Sequence, residues 1–404
     1  MRRRAIVIVC DGLGVGATPD AGQFGDEGTR TLQNILRDGR PSLPHLTRLG
    51  LLHTLYADAP EGLPSPSGAF GRCAEAAPGK DSVTGHWELM GLTLDAPFPL
   101  YPNGFPPEVI EPFEKAVGKK VLHNLHASGT EVIRQYGEEH MRTGRPIVYT
   151  SGDSVFQIAA HEDVVPVETL YAWCEIARRI LDGPHRVGRV IARPFVGAPG
   201  SFTRTHRRHD YSVLPPGPTL LDRILERGGR VHGIGKIEDL FAGQGLSSAV
   251  HTESNRDGLE KTVAALRERD DDFLFSNLVD FDTKYGHRND PVGYARALEE
   301  LDRFVPALLA RLRPGDLLIL TADHGGDPSD VSTDHTREYV PVVAAGPGVR
   351  AGADVGTRAS FADVGATVAE HLGVPPPGGT SFLAAAFPPP ERATTEDSAP
   401  DVSA

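Results

Sequence analysis

Short apolar runs rich in β-branched residues alternate with amphipathic stretches along most of the chain. Residues 5–10, Ala-Ile-Val-Ile-Val-Cys, are continuously apolar, the pattern of a strand covered on both faces in a parallel sheet. The run stops at Asp11-Gly12-Leu13-Gly14-Val15-Gly16, a carboxylate followed by a glycine loop. Similar runs predict strands over 146–150, 186–195, 230–234, 273–279, 317–320 and 339–344. Helical periodicity predicts helices over 167–181, 219–227, 257–269, 292–312 and 361–372, with Leu170, Cys174, Ala177 and Leu181 on one side of the first of these. Residues 29–50 read as helix then coil, and 108–140 mix helix and strand signals. Residues 58–86 are rich in Gly, Pro and Ser, and 96–107 read as a Pro-rich linker.

Strands alternating with helices predict an α/β core whose mostly parallel sheet is covered by helices on both faces. The rhythm is broken between about 97 and 214. The expected organisation is therefore a core made from residues 1–96 and 215–387 with a second domain, 97–214, inserted between them. From Pro388 onward Pro, Glu, Thr, Ser and Ala dominate, which predicts a disordered tail over 388–404. There is no internal repeat.

Composition narrows the function classes. The chain has 404 residues, 39% hydrophobic and 24% charged, as in a soluble globular protein long enough for two domains. A net charge of −13 argues against nucleic acid as a partner. The apolar run after Met1-Arg2-Arg3-Arg4 is too short for a signal peptide, and no stretch reaches transmembrane length. The expected partner is a small molecule rather than a membrane, in the cytoplasm, with monomer as the default state. The three cysteines, Cys10, Cys73 and Cys174, form neither a disulfide framework nor a CxxC metal motif.

The chemistry concentrates where predicted strands end. Asp11, Asp282, Asp323 and His324 occupy such ends, and ligands of open α/β sheets bind at the carboxyl ends of strands. His287 follows Asp282 in Asp282-Thr283-Lys284-Tyr285-Gly286-His287, where Gly286 is expected to let the loop fold back. His335 follows His324 after eleven positions. One strand-end Asp is ordinarily a cap or turn former. Three Asp and three His placed this way exceed what one ion takes, and suit two divalent ions about 3.5–4 Å apart sharing a substrate oxygen. Mn²⁺, Zn²⁺ and Mg²⁺ all fit mixed Asp and His ligation. A hydroxyl nucleophile would turn such a site toward covalent phosphoryl or sulfuryl transfer. Thr84 and Ser82, both in Lys80-Asp81-Ser82-Val83-Thr84-Gly85-His86 before a short predicted helix, are the two candidates. Either would sit where a helix N-terminus favours phosphate, and Thr84 could equally be only the N-cap.

These strings together resemble the motif set of the prokaryotic phosphopentomutases, in the alkaline phosphatase superfamily. They are Asp11 to Gly16 with Pro19-Asp20-Ala21, Lys80 to Glu88, Val279 to Asp282 with Tyr285 to Arg288, and Thr321 to Gly325 with Thr333 to Tyr339. The likeness runs to about residue 385, and Thr-Gly-His-Trp-Glu and Thr-Asp-His-Thr-Arg-Glu are its most specific parts. Gly12 departs from it, since relatives often carry Ser there. The resemblance implies an alkaline-phosphatase-like core and an α+β cap. It implies two Mn²⁺, other divalent ions being possible, with Asp11, Asp323, His324 and Thr84 around one and Asp282, His287 and His335 around the other. It implies phosphothreonine at Thr84 and a sugar 1,6- or 1,5-bisphosphate as primer. Ser151, Asp153, Arg193, Arg208 and Lys236 would contact a sugar phosphate, interconverting ribose 1-phosphate and ribose 5-phosphate and the deoxyribose pair. Bidentate guanidinium groups and a lysine point charge suit a phosphate distal to the metals.

Overall fold

The computed structural model describes residues 3–151 and 154–387. The expected tail over 388–404 lies outside the described residues.

Eight strands form the larger sheet in the order Ser248–Val250, Val231–Ile234, Phe273–Leu278, Arg4–Cys10, Asp316–Thr321, Val340–Ala345, Ala69–Cys73, Asp354–Arg358. The first five are mutually parallel, and Val340–Ala345 runs antiparallel to both its neighbours. Every residue of Arg4–Cys10, Phe273–Leu278 and Asp316–Thr321 is buried, so both faces are covered. That burial is why these strands are apolar without alternation. In register, Cys10 lies beside Leu278 and Val9 beside Thr321. Three adjacent parallel strands therefore release their following residues at one edge of the sheet. The architecture is the expected α/β core with a mostly parallel sheet between helices.

Three strands of this sheet escaped the sequence reading: Ala69–Cys73, Ser248–Val250 and Asp354–Arg358. Ala69–Cys73 lies in the stretch read as loop. It is short, carries Gly71, and is fixed by antiparallel pairing with Val340–Ala345, a partner more than 260 residues away that local propensity does not see.

A six-stranded sheet is built from Leu122–His126, Ile147–Thr150, Val155–His161, Arg189–Val196, Thr203–Arg204 and, paired on Arg189–Val196, His209–Ser212. Alternation along Val155–His161 sends Phe156, Ile158 and Ala160 into a cluster with Phe113, Trp173 and Cys174, and Ala159 into another with Val132 and Phe195. Both clusters are separate from the larger sheet's core. Helix Val167–Ile180 buries Leu170, Cys174 and Ala177, as its periodicity predicts. No helix among the described residues is long and apolar enough to cross a membrane.

Candidate metal centre

Asp11 directly follows Arg4–Cys10, and Asp323 and His324 follow Asp316–Thr321. Asp282 sits in the π-type turn Phe281–Tyr285 after Phe273–Leu278. The sheet thus gathers carboxylates separated by up to 312 residues. The loop to His287 does fold back, but through two short helical turns, with Gly286 in an ordinary right-handed conformation (φ −56°). No glycine freedom is needed there.

His324 Nε2 lies 3.3 Å from Asp11 Oδ1 and 3.4 Å from Asp323 Oδ2. His287 Nε2 is 3.2 Å from Asp282 Oδ2, and His335 Nε2 is 3.6 Å from Asp282 Oδ1. Ligand-type atoms of Asp282, His287 and His335 lie within 4.8 Å of one another, as do those of Asp11, Asp282 and His324. Asp282 thus stands between the two groups, whereas the resemblance puts it in only one.

Four atoms of this cluster are buried without a hydrogen-bond partner: Asp11 Oδ1, Asp282 Oδ1, Asp323 Oδ2 and His335 Nε2. An orphaned buried carboxylate oxygen is costly. Three such oxygens and one imidazole nitrogen converging here fit a site built for divalent cations. The imidazoles are prepared in the same sense. Nδ1 of His287, His324 and His335 faces the carbonyl oxygen of Thr333, Gly325 and Lys80, at 2.6, 2.8 and 2.9 Å. A carbonyl only accepts, so each Nδ1 carries a hydrogen and each Nε2 faces the cluster, where a metal would take its lone pair.

In this arrangement the charges support one another. The hydrogen bond to Asp282 pushes His287 up to about 9 against its partial burial. Burial acts to raise Asp282, yet the charge of His335 and the contact from His287 hold it well below the usual carboxylate range. Burial likewise opposes ionisation of Asp323, but His324 and His86 bring it down to about 2.

Helix Ser82–Leu89 lies over the cluster. Its N-cap is Asp81, whose carboxylate accepts from Val83 N and Thr84 N, both at 3.0 Å. Thr84 is therefore not the cap but lies in the first turn. It is buried, and its hydroxyl donates to Asp81 Oδ2 at 2.6 Å. Ser82 Oγ is 3.1 Å from His324 Nε2. Gly85 is required by proximity, since a Cβ there would meet the Asp323 carbonyl oxygen.

Sequence reasoning missed the supports behind the ligands. Asn277 Nδ2 donates to Asp11 Oδ2 at 2.9 Å and lies 3.3 Å from His86 Nε2. His86 Nδ1 lies 2.8 Å from the Ser82 carbonyl oxygen and 3.2 Å from Asp323 Oδ2. Glu88 accepts from Ala76 N, Ala77 N, Ser360 Oγ and Phe361 N. Arg337 donates to Asp20, Glu75 and the carbonyls of Glu75, Ala77 and Gly79, fixing the approach to Asp81. The strings containing His86, Glu88 and Arg337 were visible, but their partners are distant in sequence.

A cavity of about 210 Å³ opens between the two sheets. Asp282, His287 and His335 line it together with Ser151, Arg193, Arg208 and Lys236. Asp153 lies outside the described residues. Gln157 and Arg189 also line it and were not foreseen. Residues 189, 191 and 193 share one face of a strand, so the period-2 rule offered Arg189 once Arg193 was chosen. Arg193 Nε donates to Gln157 Oε1 at 3.1 Å.

Comparison with known proteins places the chain. A family model described as "Metalloenzyme superfamily" matches residues 226–376. A phosphopentomutase of Anaeromyxobacter dehalogenans (strain 2CP-C) is 57% identical over 385 residues, 95% of this chain and 98% of that protein. One from Caldanaerobacter subterraneus is 53% identical, again over 95% of this chain and 98% of the other. Among solved structures, the PH0037 protein from Pyrococcus horikoshii shares the fold with a TM-score of 0.50 at 16% identity, over 92% of this chain and 98% of that one.

Proposed function

The chain belongs to the phosphopentomutase family, and from that premise we propose that it interconverts α-D-ribose 1-phosphate and D-ribose 5-phosphate, and the 2-deoxyribose pair. In this reading Thr84 carries the phosphoryl group and a 1,5-bisphosphate is the intermediate. The observation that carries it is the shared cavity: clustered ligands line it from the larger sheet's side, where Lys236 also stands after strand Val231–Ile234, and Ser151, Arg193 and Arg208 line it from the smaller sheet. A sugar with a phosphate at each end spans such a cleft, one end at the metal ligands and the other on cations.

Residues 97–214 act in this account as a cap inserted between 1–96 and 215–387, closing over the sugar and excluding water. Without that exclusion the phosphoenzyme would hydrolyse and the protein would be a phosphatase. Asp11, Asp323, His324 and Thr84 would hold one divalent cation and Asp282, His287 and His335 a second, Mn²⁺ in our reading, to neutralise charge on the transferring phosphoryl oxygens. In this reading the Thr84 hydroxyl, which donates to Asp81 Oδ2 in the first turn of the Ser82–Leu89 helix, would turn toward the metals to take the phosphoryl group. Arg193, Arg208 and Lys236 orient the far phosphate for in-line approach. A sugar bisphosphate primes Thr84, and the enzyme works in the cytoplasm on free sugar phosphates.

Mn²⁺-loaded protein given ribose 5-phosphate and trace bisphosphate should form ribose 1-phosphate. Release of phosphate without isomer would sink the mutase reading. Ser82 is the second reading for the nucleophile, favoured by its contact with His324. Intact mass and peptide mapping after priming should place the added phosphate on Thr84, and Thr84→Ala should abolish turnover. Phosphate on Ser82 would overturn the assignment.

A further inference from the structure

Beside the cleft lies a second cavity, of about 430 Å³, lined by Arg193, Pro194, Arg204, Thr205, Arg208 and Arg288. It shares Arg193 and Arg208 with the cleft. No predicted metal ligand lines it, and neither does any carboxylate. Acids do stand nearby: Arg208 Nε and Nη2 donate to Asp210 at 2.7 and 2.6 Å, and the Thr205 hydroxyl donates to Glu162 at 2.7 Å. Its four guanidinium groups come from both sides of the cleft. Arg193 and Arg204 belong to paired strands of the smaller sheet, while Arg288 follows His287 on the metal side. Burial first, and then the charges of Arg208 and Arg204, lower the Arg193 pKa. Cations gathered this closely repel one another, and an anion seated among them relieves the repulsion.

We propose that this cavity is a holding site for one phosphate of a sugar bisphosphate. The inference rests on the mutase reading above. A bisphosphate that exchanges ends must move a phosphate off the metal side before the other can arrive. The monophosphate's own phosphate already has Lys236, Arg193 and Arg208 in the cleft. A second cationic cavity, reached past those same arginines, lets the bisphosphate turn without passing into water. Arg204 and Arg288 distinguish this site, because they line it and not the cleft.

The test is the double variant Arg204→Ala/Arg288→Ala, with Arg204→Lys/Arg288→Lys as the charge-retaining control. The probe is ribose 1,5-bisphosphate. Half-activation of unprimed enzyme should need about tenfold more bisphosphate in the alanine variant, the combined weight of two solvent-exposed charge contacts. Free bisphosphate should accumulate during turnover, the KM for ribose 5-phosphate should change much less, and the lysine variant should recover most of the loss. An unchanged bisphosphate requirement overturns the proposal, as does an equal rise in the ribose 5-phosphate KM. Calorimetric binding of the bisphosphate separates the two readings. If wild type binds it and the alanine variant does so about tenfold more weakly while neither isomerises, the pocket stands and the mutase reading falls.

Discussion

Four ligands in the cluster, Asp11, His287, His324 and His335, are each oriented by a partner of their own. Three imidazoles are locked by backbone carbonyls, and Asp11 is held by Asn277, whose amide also reaches His86. Removing such a support typically costs about 10–100-fold in metal affinity. Asn277→Ala should therefore weaken Mn²⁺ binding by about that factor, read by calorimetry on the metal-free protein; an unchanged affinity would show that Asp11 is held without it. The pH dependence follows from His287. Its metal-free pKa is pushed up to about 9, so at neutral pH it carries a proton that a metal must displace. Mn²⁺ affinity should rise with pH and level off above about 9, with proton release at pH 7. A flat profile between pH 7 and 9 would count against His287 as a ligand.

At the scale of elements, the ligands owe their convergence to strand order. The runs ending at Asp11 and Asp323 were legible because strands buried on both faces leave a continuous apolar signature. The Ala69–Cys73 strand was not, since it is short, carries glycine and is fixed by a partner distant in sequence. The helix over the site was expected to begin near Gly85, but it starts at Ser82 because Asp81 caps it. Gly85 lets that helix rest on the Asp323 backbone. Gly85→Ala should lift it away, an overpacking cost of about 1–3 kcal/mol. A lower melting temperature with weakened Mn²⁺ binding is the expected result, and wild-type values for both would refute the close approach.

At the scale of the whole molecule, function depends on two sheets meeting across a cleft. One wall carries carboxylates and imidazoles, the other guanidinium groups. Arg193→Ala should raise the KM for ribose 5-phosphate about tenfold, one charge-assisted contact, while Mn²⁺ stoichiometry stays constant. Loss of metal in that variant would mean the walls are not separable.

What the chain determined by itself was whatever a local pattern can carry: apolar strands, their terminal Asp and His, and the short strings that mark the family. Those signals are local because burial on both faces and the end of a strand each leave a mark within a few residues. Only the tertiary structure decided that Asp282 stands between two ligand groups and that every imidazole presents Nε2. It also decided that Asn277, His86, Glu88 and Arg337 brace the site, and that Arg204 and Arg288 share one cavity. Each of these is a contact between residues distant in the chain or a hydrogen-bond direction, and side-chain periodicity records neither.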